Sequence, residues 1–305
     1  MPVKHFRSAK PLASGARVAL ISPASPLQKN DELPRAQENA RSFGWEPIVA
    51  THATERVGYL AGDDRDRLND INRALRDPEI DALWCLRGGY GMIRILAGID
   101  YDALSRAPKT IIGYSDITAL HAAVQRKCRL LTYHGPTARE VLSDFSRDSL
   151  RRAVLEQGDS CGKAENAREI NTGTADGRLV GGNLAVLASL CGTEFMPDLT
   201  DGILVLEDIN EPVYRVDRML QQLKLSGALN GCKAIAFGEC VKCPEDSDGG
   251  RPFDVVLGEI AHALGVPCLA GIPVGHIAEQ WTIPLGAEAT LDTSARALTV
   301  TSYTS

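Results

Sequence analysis

The stretch TIIGYSDITALHAAV, residues 110–124, decides how the rest of the chain is read. It opens on an apolar, β-branched run suited to a buried strand. Gly113, Tyr114, Ser115 and Asp116 break that run, and an amphipathic helix starts near Ile117. A serine at such a junction serves as an N-cap, accepting a bond from an early helical N–H. The same place suits a nucleophile, because a helix N-terminus offers unpaired N–H groups and partial positive charge. The backbone N–H of Asp116 would then face a developing oxyanion. The match to G-x-S-x-G is incomplete, since Ile117 stands where the motif has its last glycine. Local physics leaves cap and nucleophile both open.

Outward from this stretch, strand and helix signals alternate. RVALI (17–21) is a strand, a helix covers about 30–43, and EPIVA is a second strand. DDRDRLNDINRALRD has helical spacing, with Leu68, Ile71 and Leu75 on one face. IDALWCL is a buried strand ending at RGGYG, after which MIRILAGI reads as a helix. Such alternation with short connections implies a parallel sheet covered on both faces. Residues 143–177 are polar, with one helix and then loop or edge strand, so a boundary falls there. The expected layout is an N-terminal domain over 1–142, a linker region over 143–177 and a C-terminal domain over 178–305. The second half opens with RLVGGNLAVLASLCG, read as a strand, a double-glycine turn and an apolar helix. Its last segment, TIPLGAEATLDTSARALTVTS, alternates like an antiparallel hairpin.

The 305 residues carry a formal charge of -6 and 44% hydrophobic content, ordinary for a globular protein. An acidic balance without a basic stripe argues against a nucleic-acid partner. No stretch approaches the ~18 apolar residues of a membrane span, so no membrane partner is expected. The N-terminus lacks the apolar core of a signal peptide, which points to a cytoplasmic protein. Eight scattered cysteines, several in apolar runs, suit buried thiols in a reducing compartment. Cys240 and Cys243 form a single C-x-x-C, too few ligands for a tetrahedral zinc shell.

Gly88, Gly89 and Gly91 in CLRGGYGMIR permit a tight turn, or bring bare N–H groups beside a substrate. The spacing fits neither nucleotide-binding glycine motif. This turn and the Ser115 turn follow consecutive strands, so both lie at the carboxyl edge of the sheet, where open α/β sheets bind ligands. Six histidines are available as the base. His5 and His52 have surface-like contexts, His262 lies in a helix pattern, and His121 is on the Ser115 helix, facing elsewhere. His134 and His276 both follow strands into loops, and Glu207 and Asp208 end an apolar strand as candidate orienting acids. The residues reach a Ser–acid–His hydrolase without choosing within either pair.

In order along residues 17–293, RGGYG, IIGYSDITALH, HGP, GGNL, VLEDI with YRVDRML, and GIPVGH with PLGAEATLD resemble the LD-carboxypeptidase family of serine peptidases. That family includes the microcin C self-immunity peptidases. The resemblance implies a catalytic Ser115, Glu207 and His276, with Gly89 and Asp116 supplying oxyanion-hole N–H groups. It implies a glutamine-amidotransferase-like parallel-sheet α/β domain followed by a smaller β-rich α/β domain, with the site between them. Arg87, Gly88, Asn183, Arg215 and Arg218 become candidates for substrate contact, an arginine suiting the peptide carboxylate. Surface ion pairs for the arginines and a helix cap for Asn183 are the structural alternatives. No cofactor or metal is implied, a homodimer is, and the expected substrate is a murein tetrapeptide losing its D-alanine. A microcin-type aminoacyl-nucleotide amide is the second expectation, and a non-catalytic binding protein on the same fold the third.

Overall fold

The computed structural model describes residues 6–244 and 250–303. Its first half runs β1 (Arg17–Ile21), α1 (Glu32–Ser42), β2 (Glu46–Val49), α2 (Asp64–Arg76), β3 (Ala82–Cys85), α3 (Tyr101–Arg106), β4 (Thr110–Gly113), α4 (Thr118–Cys128) and β5 (Thr132–His134). These five strands pair in parallel, in the order β5-β4-β3-β1-β2. β3 and β4 are buried at every position, which is why they read as unbroken apolar runs. On α2, Asp63 caps the start by accepting from Asp66 N, while Ile71 and Leu75 are buried and Leu68 packs beside them.

The second half runs α5 (Asp144–Arg151), β6 (Gly162–Lys163), β7 (Arg168–Asn171), β8 (Thr174–Asn183), α6 (Leu184–Ser189), β9 (Gly202–Ile209), α7 (Val213–Leu225), β10 (Ala234–Val241), α8 (Phe253–Leu264), β11 (Cys268–Ala270), β12 (Ile283–Leu285), β13 (Glu288–Asp292) and β14 (Ala297–Ser302). Its sheet is mixed, in the order β6-β14-β13-β8-β9-β10-β11-β7, with β8 to β11 parallel and the outer pairs antiparallel. The protein is thus a two-domain α/β fold. Polar residues 143–177 supply α5 and both edge strands, β6 and β7, where one side faces no neighbour.

Three sequence expectations change. The MIRILAGI segment is two short 3-10 turns, Met92–Arg94 and Leu96–Gly98, not a helix. Asn72 of α2 donates to Gly98 O and accepts from Asp100 N, holding the chain against α2 and stopping a continuous helix. The double glycine is no turn: Gly181 and Gly182 lie inside β8 with positive φ. A Cβ at Gly181 would stand 2.1 Å from Val205 O, and one at Gly182 would stand 2.5 Å from Thr118 Oγ1. The glycines let β8 pass close to β9 and to the start of α4. Finally, only β13 and β14 form the terminal hairpin, while β12 crosses back to pair antiparallel with β5. One apolar cluster joins the sheets, containing Trp84, Ile112 and Tyr133 with Val205, Leu269 and Ile283.

Candidate active site

At the end of β4 the backbone turns sharply. Tyr114 is extended, and Ser115 then takes φ 63°, the left-handed region that non-glycine residues rarely occupy. Such a residue carries about 1–3 kcal/mol of strain, held in place by the packing around it. Gly113 makes the turn possible: a Cβ there would lie 3.1 Å from Cys85 Cβ and from both Ile117 Cγ atoms. The missing side chain at 113 therefore leaves room for Ile117, the residue that departs from G-x-S-x-G. The Gly113 carbonyl accepts a 2.8 Å bond from His121 Nε2. Burial pushes the His121 imidazole down to about 4, so it stays neutral and braces the turn.

His276, on the loop after β11, brings Nε2 to 3.2 Å from Ser115 Oγ and Nδ1 to 2.8 Å from Glu207 Oε2. Glu207 is fully buried near the end of β9, and its Oε1 accepts from Asn183 Nδ2 at 3.2 Å. Gly275 lets the loop close on it: a Cβ there would stand 2.9 Å from Glu207 Oε2. Successive strand residues point to opposite faces, and Asp208 accordingly turns to the start of α6, accepting from Ala185 N at 2.9 Å. Burial lifts its carboxyl to about 6 despite the Ile209, Asn183 and Ala185 bonds. Burial also pulls the His276 imidazole down, but the bond and charge of Glu207, with Glu140 and Asp208 behind, outweigh it and raise it above the usual histidine value.

The glycine turn lies against the same serine. A Cβ at Gly88 would stand 2.9 Å from Ser115 Cβ, and Gly89 has φ 103°. Ser25 holds this loop, its N–H donating to Gly88 O and its Oγ accepting from Tyr90 N, both at 3.1 Å. The far end is tied by Asp116, whose Oδ2 accepts from Met92 N at 2.8 Å. Burial pushes the Asp116 carboxyl up to about 6. Among the described residues the Gly89 N–H donates to no protein acceptor, and the first bond of the 3-10 turn comes from Ile117 N. That leaves the Gly89 and Asp116 amides as donors without helical partners beside Ser115.

Comparison with known proteins matches this chain to the LD-carboxypeptidase N-terminal domain over residues 18–135 and to the LD-carboxypeptidase C-terminal domain over residues 176–291. The chain belongs to the LD-carboxypeptidase family. It is 35% identical to the murein tetrapeptide carboxypeptidase of Pseudomonas aeruginosa, over 90% of this chain and 93% of that protein. The crystal structure of muramoyltetrapeptide carboxypeptidase from Oxalobacter formigenes superposes with a TM-score of 0.83 at 29% identity, covering 93% of this chain and 98% of the other. The microcin C7 self-immunity protein MccF in complex with aspartyl sulfamoyl adenosine gives a TM-score of 0.87 at 25% identity, covering 98% and 99%. LD-carboxypeptidases of this family are hydrolases of the serine peptidase class.

The remaining candidates separate clearly. Arg87 is half-buried beside the glycines, donates to Pro26 O at 2.5 Å, and forms no ion pair with a carboxylate among the described residues. Asn183 caps α6 through Val186 N while orienting Glu207. Arg215 pairs with Glu211 at 3.5 Å, and Arg218 stacks over Tyr214, both on the exposed side of α7. His134 is buried without a partner for either ring nitrogen, and burial holds it well below the usual histidine value. His5 lies outside the described residues. Cys240 and Cys243 are joined in a disulfide at the end of β10, a pairing the sequence did not suggest. Ser25 and Thr118, whose Oγ1 accepts from Asn183 N at 2.9 Å, were not singled out from sequence. Ser25 lies in SPASP (22–26), the segment that follows β1 at the same sheet edge.

Proposed function

We propose that this chain is a cytoplasmic serine LD-carboxypeptidase that releases the terminal D-alanine from murein tetrapeptides. One observation carries this: a buried carboxylate, an imidazole and a strained serine hydroxyl in continuous hydrogen-bond reach. Glu207 holds the Nδ1–H tautomer, which leaves Nε2 free to take the Ser115 proton. Ser115 Oγ then attacks the carbonyl of the L-centre preceding D-alanine. The oxyanion forms between the Gly89 and Asp116 amides, donors of a kind worth about 10²–10³ in rate each. The protonated His276 gives its proton to the departing D-alanine amine, and water, deprotonated by the same imidazole, hydrolyses the ester. Arg87, which donates to Pro26 O but forms no ion pair among the described residues, suits the carboxylate of the leaving residue, as a planar guanidinium binds carboxylate with two parallel bonds.

The murein substrate is favoured by relatives at 35% identity bearing that description. A microcin-type substrate would call for an aromatic surface for the base, and residues 143–177 contain a single aromatic, Phe145. The test is incubation with L-Ala-γ-D-Glu-meso-diaminopimelate-D-Ala and, separately, with aspartyl sulfamoyl adenosine, followed by mass spectrometry. Release of D-alanine from the first alone is expected. Cleavage of the nucleoside conjugate alone would replace the substrate, and cleavage of neither would sink the proposal.

A further inference from the structure

The C-x-x-C pair that the hydrolase reading leaves unused closes a turn at the end of β10, between the strand of Glu207 and the loop of His276. Cys240 and Cys243 are disulfide-bonded and half-buried, with Lys242 exposed between them. On one side the end of β10 pairs with β9: Cys240 lies in register with Asp208 and Val241 with Ile209, the two residues after Glu207. The chain leaving β9 is fastened to the same turn. Asn210 N donates to Val241 O at 2.8 Å, and Val213 N, at the start of α7, donates to Pro244 O at 3.4 Å. On the other side β10 holds the loop of the imidazole. Gly271 N donates to Phe237 O at 2.8 Å, and Glu239 N donates to Val274 O at 3.0 Å, two residues before His276. Gly238 permits that approach, since a Cβ there would stand 2.2 Å from Val274 O. The ladder to β9 shifts register between Phe237 and Cys240. This irregular stretch is therefore held by the contacts around it and by the crosslink that ends it.

We propose that Cys240–Cys243 is a redox-reactive site that controls the placement of Glu207 and His276: the disulfide form is the active one, and a dithiol reductant lowers activity by opening the turn. The proposal rests on the serine-hydrolase reading of Ser115, Glu207 and His276. In a cytoplasmic chain a disulfide belongs to the transient, redox-sensing kind, because that compartment keeps structural thiols reduced. The step is an exchange. A thiolate of the reductant attacks one of the two sulfurs, and the Cys240–Cys243 bond breaks as a mixed disulfide forms. The second thiol of the reductant then displaces the protein cysteine. The chain gains two electrons and two protons as a pair of thiols, and the reductant leaves as its own disulfide. Half-burial leaves both sulfurs a path to solvent, whereas the free Cys85, Cys128, Cys232 and Cys268 are buried. Once the crosslink opens, Val241 O and Pro244 O sit on a freer chain, and the support of the Glu207 strand end loosens.

The test equilibrates the full chain in mixtures of dithiothreitol and its oxidised form. Alkylation and peptide mass spectrometry then report the thiols at 240 and 243, and a fluorophosphonate reports the rate of Ser115 labelling. Labelling is expected to fall roughly tenfold in step with reduction of this pair, and to return on reoxidation, because only the orientation of the triad is loosened. Cys243→Ser is expected to label at the rate of reduced wild type and to ignore the reductant. Full reduction at 240 and 243 with unchanged labelling would overturn the proposal. So would a pair that stays oxidised in excess dithiothreitol, or a Cys243→Ser chain that still slows when the reductant is added. A reduced wild type that has unfolded, read by circular dichroism, would make the bond structural and overturn it too. The wild-type arm decides the matter even where Cys243→Ser does not fold. Labelling needs no peptide: an oxidised wild-type chain that is labelled but releases no D-alanine overturns the murein substrate alone. A chain unlabelled in both redox states overturns the serine reading and this proposal together.

Discussion

Ser115 Oγ and His276 Nε2 lie 3.2 Å apart although 161 positions separate the two residues in the chain. The serine reaches that point through a backbone conformation that costs energy, with φ at 63°. Ser115→Ala should fold normally and lose D-alanine release by about 10⁴-fold or more. Ser115→Gly should be equally inactive yet more stable than Ser115→Ala by up to about 1 kcal/mol, since glycine takes positive φ without strain. Thermal denaturation of the two variants decides it, and equal melting temperatures would mean that the turn stores no strain.

The imidazole must be neutral to accept the serine proton, and it is raised above its usual value, burial being outweighed by Glu207. Activity should therefore climb with pH along a limb lying above the ordinary histidine value of about 6.5. Glu207→Gln should lower that limb and reduce kcat by about 10²–10⁴-fold. The sign for stability is the opposite one. A raised folded-state value stabilises the fold below about pH 6.5, and that contribution fades as pH rises through the folded-state value. Urea titrations of wild type and Glu207→Gln at several pH values should converge as pH rises.

Gly88 and Gly89 have no room for a side chain: a Cβ would stand 2.9 Å from Ser115 Cβ at Gly88 and 2.4 Å from Ser25 Oγ at Gly89. Gly89→Ala also meets φ 103°. Either alanine should displace an amide from the oxyanion position and lower kcat about 10²-fold or more. Ser25→Ala leaves Tyr90 N without its acceptor and should reduce kcat about tenfold with little change in KM, because it loosens loop placement rather than ground-state binding. A raised KM at unchanged kcat would assign Ser25 to substrate binding instead.

Arg87 is half-buried and in no ion pair among the described residues, and the charges acting on it are those of Arg139, Glu32 and Arg56. Arg87→Ala should raise KM about 10–100-fold for a tetrapeptide ending in a free carboxylate, the range for loss of a charge-assisted pair. Arg87→Lys should restore only part of this, lacking the bidentate fork. A C-terminally amidated tetrapeptide should be a poor substrate for wild type and no worse for Arg87→Ala. A large Arg87→Ala effect on the amidated peptide would locate the arginine elsewhere in the site.

The sequence alone determined the succession of strands and helices and the turn at Gly113–Asp116, because periodicity and turn chemistry act over a few neighbouring residues. It also brought the RGGYG and Ser115 turns to one sheet edge, since consecutive parallel strands must end together. Tertiary structure decided the rest. Glu207 and Asp208 are chemically alike neighbours, and only the pairing of β9 between β8 and β10 sets which one faces the imidazole. Gly181 and Gly182 have the local look of a turn, yet they serve close approach of β8 to Val205 and Thr118. β12 leaves its neighbours in sequence to close the first sheet against β5. Whether Ser115 merely caps a helix or meets a base depends on a histidine on another domain, and that distance is set by packing, which no local pattern of residues encodes.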